Sequence, residues 1–292
     1  MIAALALAPT SLDPGVALSA WTLEPIPTVG IVVAALLYLE GIRSVRRRPG
    51  PAFPPGRIAC FLGGLAVLFL ALASPIDGYS GVLLSDHMLQ HLLIAMVAAP
   101  LLVLGTPILL ALRAASPETR QRFLLPILHS RFVRVLASPI VGWGTFALVM
   151  WGSHVSGLYE AALRSTGVHA LEHFAYLASA LLFWRPIVGL EPGPGRLSHP
   201  GRILYMFLAM PVTSLLGLAI SASNHLLYPT YLAGANLLGI SALSDQHLAG
   251  TLMWTVGMFL MAPAIGLVLL DWMRRDEQQA LRAEARGAGQ PG

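Results

Sequence analysis

Two pairs of histidines in this chain have a spacing suited to metal binding. His87 and His91 are four residues apart, and so are His169 and His173. In a helix this spacing places two imidazole rings on one face, close enough to share a metal ion. Neutral imidazole is a common protein ligand of copper and zinc. The sequence therefore predicts a metal site built from these two pairs.

Further candidate donors lie near the ends of the same apolar segments. His247 joins the two pairs as a preferred ligand, His154 and His225 are candidates of second rank, and Asp86 and Asp245 are further candidates, with the carboxylates of Asp77 and Glu172 nearby. Asp86 and Asp245 each follow a serine directly before an apolar block, a position that suits capping of a helix N-terminus at least as well as metal ligation. Methionine sulfur favours Cu(I), and Met88 and Met150 lie close to histidines in the sequence.

The elements that must position these side chains are membrane helices. Of the 292 residues, 56% are hydrophobic and 11% are charged, whereas a soluble domain has about 25% charged residues. Crossing a bilayer takes roughly 20 apolar residues. Seven blocks can be delimited, at Pro27–Ile42 (which can begin nearer Trp21), Ile58–Ile76, Leu84–Leu104, Pro139–Val155, Val168–Val188, Ile203–Ala222 and His247–Trp272. We predict an all-α integral membrane protein, a seven-transmembrane-helix bundle over residues 1–275 with a polar cytoplasmic tail over 276–292.

The arginines give this bundle an orientation. All 18 basic residues are arginines, and 17 of them lie in every second loop or in the C-terminal tail, with Arg164 alone on the other side. The positive-inside rule places the arginine-rich loops and the C-terminus in the cytoplasm and the N-terminus outside. The candidate ligands then share the external end of the bundle.

Other properties limit the function. The pI of about 9.6 is explained by the topology, so the lipid bilayer rather than nucleic acid is the expected partner of the arginines. Cys60 is the only cysteine, which excludes an internal disulfide or a paired-cysteine metal motif. Met1–Pro9 is apolar but lacks a positive n-region, so we expect a short external lead rather than a signal peptide.

Three segments resemble a known family. They are Ser85–Leu93 (SDHMLQHLL) continuing through 99–107 (APLLVLGTP), His169–His173 (HALEH) followed by Leu182–Ile187 (LFWRPI), and Ser244–Gly250 (SDQHLAG) leading into Trp254. Over about residues 30 to 272 the chain resembles the CtaG family of multi-spanning assembly factors of caa-type cytochrome c oxidases.

The resemblance implies a non-enzymatic role in maturing cytochrome c oxidase in the inner (plasma) membrane, with oxidase subunits as partners. It also implies supply or insertion of copper, since the copper centres of an oxidase lie toward the external side, as the predicted histidine cluster does. Copper would be held by the histidines and passed on by ligand exchange. A homo-oligomer is compatible with the sequence.

Three other functions compete with this interpretation. A zinc-dependent membrane hydrolase would use the same histidines, with zinc lowering the pKa of a bound water to about 7. A haem protein would need histidines on opposite faces of the haem, which neighbours four residues apart cannot supply. A transporter is poorly supported, because the sequence has no apparent internal repeat and few ionisable residues at mid-membrane depth.

Overall fold

A computed structural model of the chain describes residues 9, 11–155 and 157–287, and every regular element in these ranges is helical. The α-helices are α1 (Pro14–Ser19), α2 (Pro25–Arg46), α3 (Pro55–Ala73), α4 (Pro75–Ser80), α5 (Leu84–Leu92), α6 (Ala99–Leu104), α7 (Pro107–Ala114), α8 (Pro117–Thr119), α9 (Leu125–Leu128), α10 (Arg131–Leu136), α11 (Pro139–Val155), α12 (Leu158–Arg164), α13 (Thr166–Val188), α14 (His199–Ala222), α15 (Leu232–Leu237) and α16 (Ala242–Gly287). Two π-helical segments, Leu93–Ala98 and Arg120–Leu124, and a 3-10 turn at Pro229–Tyr231 complete the described elements. The predicted external lead lies outside the described residues except for Pro9.

The seven apolar blocks are helical except at Ser74, where the second block passes from the end of α3 into α4. The chain is a multi-pass membrane protein. Five helical stretches are both long and apolar enough to cross a bilayer: Pro25–Arg46, Pro55–Ala73, Leu84–Ala114, His199–Ala222 and Ala242–Arg282. Helix α11 has only 17 residues. Helix α13 has 23, but two histidines, a glutamate and an arginine lower its hydropathy. The fold class is therefore confirmed at the level of an all-helical membrane bundle.

The C-terminal helix extends beyond the predicted seventh block. Helix α16 begins at Ala242, five residues before the block, and continues to Gly287. From Asp276 to Arg282 its side chains are exposed. The described part of the predicted polar tail is thus a helical extension of the last span, and residues 288–292 lie outside the description. The domain boundary at residue 275 stays a prediction.

A π-helical segment interrupts the third block directly after the first histidine pair. Pro100 has no N–H to donate to the preceding turn. The indole N–H of Trp184 in α13 donates to the Ala95 carbonyl at 2.9 Å instead, and the Ala99 N–H reaches back to Ile94. A side chain from a neighbouring helix therefore satisfies the backbone that the proline leaves open.

Helices α14 and α16 pack closely because glycines face each other across their interface. A Cβ atom on Gly250 would lie 2.6 Å from the Gly217 carbonyl oxygen, and one on Gly217 would lie 2.8 Å from the Gly250 carbonyl oxygen. Small residues allow helix backbones in membranes to approach this closely. The interface positions α16, which contacts α5 at the histidine end of the bundle.

The opposite end of the bundle is held by a carboxylate. Glu191, in the loop after α13, accepts hydrogen bonds from the N–H groups of Ile108 and Leu109, both at 3.0 Å, and so caps α7. Burial raises the pKa of Glu191 above its usual range, and the two N–H groups oppose that shift. This contact connects α7 to the loop after α13, the helix that carries the second histidine pair.

Candidate metal centre

The structure brings the two histidine pairs together. Helix α5 supplies His87 and His91, and helix α13 supplies His169 and His173. The ring centroids of His87 and His169 are 5.2 Å apart, and those of His91 and His173 are 5.6 Å apart. His87, His91 and His173 are buried, and His169 is partly buried. The i, i+4 spacing on each helix and the contact between the helices form one cluster of four imidazoles.

Two overlapping sets of donors are compact enough for a metal ion. One set is His87, His169 and His173, and the other is His87, His91 and Glu172; within each set the ligand atoms lie within 4.8 Å of one another. The Nε2 atoms of His87 and His91 are 3.2 Å apart. Nitrogen ligands about 2.1 Å from a tetrahedral metal are roughly 3.4 Å apart. His87 belongs to both sets and is the centre of the cluster.

The partners of His87 determine which nitrogen carries its proton. Its Nδ1 lies 2.7 Å from the Tyr231 hydroxyl, which is also 3.3 Å from the Ser80 carbonyl. A carbonyl only accepts, so both bonds form when Tyr231 donates to Ser80 and His87 Nδ1–H donates to Tyr231. That tautomer leaves the lone pair on Nε2, which faces His91 and Glu172. An oriented imidazole of this kind is typical of metal ligands.

Gln90 orients the second pair. Its side-chain amide donates to the Ala71 carbonyl at 2.8 Å and to Asp77 Oδ1 at 2.6 Å, which leaves its oxygen to accept from His173 Nε2 at 3.0 Å. His173 therefore presents Nδ1 as the nitrogen with a lone pair. Asp77 also accepts a hydrogen bond from the Thr22 hydroxyl, so a chain of polar contacts leads from the N-terminal region to the cluster.

The buried carboxylate of Glu172 is suited to binding a cation. Both of its carboxylate oxygens are buried and have no hydrogen-bond partner there, and Oε2 lies 3.7 Å from His87 Nε2. The Nε2 atom of His169 is likewise buried without a hydrogen bond. A buried polar group without a partner is costly. A metal bound among these atoms would supply the missing partner, so the donors present fit a metal ion.

Asp245 stabilises the start of the helix that carries the first histidine pair. One of its oxygens accepts from the Leu84 N–H at 2.6 Å, and the other accepts from the N–H and the hydroxyl of Ser85. Asp245 lies in the first turn of α16, yet it caps the N-terminus of α5. Asp86 follows in the first turn of α5 and is partly buried. Neither carboxylate belongs to the two compact donor sets.

The structure places the remaining histidine candidates around the cluster, outside the two compact sets found among the described residues. His154 is buried, and its Nδ1–H donates to the Met150 carbonyl at 2.7 Å. His247 Nε2–H donates to the Ser223 carbonyl at 2.9 Å, and His225 is exposed. The assignment of any of the nine candidates as a metal ligand stays a prediction.

Several residues of the site were not among the sequence candidates. Gln90 had a signal, since it is a polar residue inside an apolar block between two histidines. Glu172 was noted near the second pair, but its neighbours on α5 could not be inferred. Tyr231 lies in a loop with no motif, and its contact with His87 follows from the tertiary fold alone.

An apolar cavity lies along the side of the bundle and borders the cluster at His173. It has a volume of about 660 Å³ and lies between α2 and α13, with His173 near one end and Arg185 and Glu191 near the other. Its walls are otherwise almost entirely aliphatic and aromatic. Of the four clustered histidines, His173 is the one that lines this cavity.

Comparison with known proteins identifies related chains. A family model described as cytochrome c oxidase caa3 assembly factor (Caa3_CtaG) matches residues 36–275. Uncharacterized proteins of Mycobacterium bovis and Mycobacterium tuberculosis are each 30% identical over 91% of this chain and 41% of their own length. One of Mycobacterium leprae is 27% identical over 90% of this chain and 41% of its own length. This chain therefore spans about two fifths of the curated relatives it matches, and no solved structure matches it.

Proposed function

Because the chain belongs to the family of cytochrome c oxidase caa3 assembly factors, we propose that it holds copper at the two histidine pairs and passes it to an oxidase subunit. The observation that carries the proposal is the convergence of four imidazoles and a buried carboxylate at one end of the bundle. Imidazole binds both common copper states, and a carboxylate compensates positive charge. The family does not favour the zinc-dependent hydrolase.

The charge of the cluster suits a monovalent cargo. An ion inside a membrane protein loses its hydration, and the cost is offset only when charges are paired. With Glu172 ionised and the four histidines neutral, bound Cu(I) would cancel the charge of these five side chains. A divalent ion would leave one positive charge on the same five side chains. The donor set therefore supports copper in its reduced form.

Transfer requires a ligand set that can be exchanged. A carrier needs a weakly held or open position, in contrast to a closed structural site. His87 belongs to both donor sets, so an ion can move from the His91 side to the His169 side while one bond is kept. A histidine or cysteine of the receiving subunit would then replace the outer ligand. Oxidase subunits are the proposed partners, and the plasma membrane is the proposed location.

We propose further that the bundle crosses the membrane seven times with its N-terminus outside, so that the cluster faces the exterior. The alternation of arginines between loops supports this orientation. Gly81, before α5, and Ser116, after α7, are exposed and lie at opposite ends of the third helical stretch. In a Cys60→Ser background, we expect Gly81→Cys to react with an impermeant maleimide in intact cells, and Ser116→Cys only after permeabilisation. The reverse labelling would overturn the orientation.

The oxidase role is tested by copper analysis of the oxidase itself. In a strain from which the gene for this chain is deleted, we expect the isolated oxidase to contain little copper while its haem content is retained. Reintroduction of the gene should restore the copper. An oxidase with a full copper content in the deletion strain would contradict the proposed function.

A further inference from the structure

A second, smaller cavity lies beside the histidine cluster and is lined by four buried methionines. The methionines are Met88, Met96, Met150 and Met253, none more than 5% exposed. Two imidazoles, those of His91 and His154, complete the set of donor side chains, with Tyr176 and Thr213 in the wall. We propose that this cavity is a second metal site, which binds Cu(I) through thioether sulfur and imidazole nitrogen. The inference deepens the proposed function and rests on it.

The size of the cavity suits a single ion. Its volume is about 20 Å³, and roughly 10–15 Å³ on this measure is needed for one water molecule. A lipid chain or an organic substrate is therefore too large. Methionine is a flexible filler of apolar cores and would ordinarily close a gap of this kind. Here the side chains of four methionines and two histidines line the cavity together.

The chemistry of the walls selects the ion. Thioether sulfur is a soft donor that favours Cu(I) over zinc and other hard divalent ions. No carboxylate is present among the lining residues, all of which belong to the described part of the chain. The Born cost of burying an ion rises with the square of its charge, so neutral ligands tolerate a monovalent ion far better than a divalent one. Both effects exclude Zn(II) more strongly than Cu(I).

The local structure prepares both imidazoles for ligation. His154 donates its Nδ1–H to the Met150 carbonyl, so the neutral ring has its lone pair on Nε2. The ring of His91 stacks on that of Tyr176 at a centroid distance of 3.9 Å, which fixes its plane. Met96 and Ala95 lie in the π-helical segment, and segments of this kind occur frequently at functional sites.

His91 connects the two sites. It belongs to the donor set with His87 and Glu172, and it also lines the methionine cavity. An ion held by methionine sulfur can thus reach the histidine cluster by exchanging ligands at His91. The methionine cavity would hold Cu(I) inside the bundle, and the histidine cluster would hold it nearer the exterior.

X-ray absorption of the purified full chain loaded with Cu(I), combined with binding titrations, tests this site. We expect sulfur and nitrogen neighbours around copper in the wild-type protein. In a variant with all four lining methionines replaced by leucine (Met88→Leu/Met96→Leu/Met150→Leu/Met253→Leu), we expect the sulfur signal to be lost and the Cu(I) affinity to fall at least about 10-fold, with Zn(II) binding at the histidine cluster unchanged. Leucine approximates the volume of methionine, so the variant should fold.

Two controls separate the outcomes. Met206 is fully buried in α14 and does not line the cavity, so Met206→Leu should retain the sulfur signal, and Cys60→Ser should retain it as well. Copper with only nitrogen and oxygen neighbours in the wild type would overturn this inference but leave the histidine site standing. An unchanged sulfur signal in the variant that lacks all four lining methionines would also overturn it. A wild-type chain that binds no copper would overturn both proposals.

Discussion

Replacement of His87 by glutamine is expected to reduce the copper affinity of the histidine cluster at least about 100-fold, since changing only an outer partner of a metal ligand already costs roughly 10- to 100-fold. His87 is fully buried and belongs to both compact donor sets. Its loss therefore removes a ligand from each set at once. Glutamine retains a polar side chain of moderate size, which limits the damage to packing. Equilibrium titration of copper into the detergent-solubilised protein measures the effect.

His225→Gln is the matched control for this change. His225 is an exposed histidine at the same end of the bundle and lies outside both donor sets. We expect its replacement to leave copper affinity unchanged. Thermal unfolding of the His87→Gln variant should show that it remains folded. Equal copper binding by the two variants and the wild type would refute the assignment of the cluster as the copper site.

Replacement of Asp245 by alanine is expected to lower the free energy of unfolding by about 2–5 kcal/mol, because each buried donor left without an acceptor costs about 1–3 kcal/mol. The N–H groups of Leu84 and Ser85 lose their acceptor in this variant. At the size of this chain, the loss corresponds to a fall in Tm of roughly 3–8 °C. The start of α5 would fray, and the affinity for copper should fall with it because His87 lies in its first turn.

Graded variants distinguish the cap from a general effect of charge. Asp245→Asn keeps one acceptor oxygen and should lie between alanine and the wild type. Asp276→Ala removes an exposed carboxylate of the same helix, and its Tm should equal that of the wild type. Scanning fluorimetry in detergent gives the comparison. If Asp245→Ala and Asp276→Ala unfolded at the same temperature, Asp245 would not be the cap on which α5 depends.

The long helices of this fold were predictable from the sequence, whereas the short helices between them were not. Long apolar runs are a strong local signal, so six blocks are continuously helical and the block at Pro139–Val155 has the observed bounds of α11. The block at Ile58–Ile76 extends past the end of α3 at Ala73 into α4. The stretch between the third and fourth blocks, residues 105–138, has no predicted span but contains short helices. Their apolar residues are too few to predict a span, and contacts with α2 and the Glu191 loop stabilise α7.

The candidate site was predictable in its composition but not in its geometry. The i, i+4 pairs follow from helical periodicity, which acts within one helix. The contact between α5 and α13 depends on the packing of the whole bundle, and no periodicity encodes it. For the same reason Asp245 was expected to cap its own helix or to bind metal, whereas its carboxylate accepts from α5, about 160 residues away.

The dependence of α5 on Asp245 has a consequence for biosynthesis. The first histidine pair lies on α5, and its cap Asp245 lies on α16, 161 residues after Leu84 in the chain. A nascent chain that has inserted α5 but not yet α16 therefore has an uncapped α5 and an incompletely ordered first histidine pair. In the proposed function, copper would meet an ordered site only after α16 has been made and has docked. The order of synthesis would then keep an incompletely folded bundle from capturing a reactive metal.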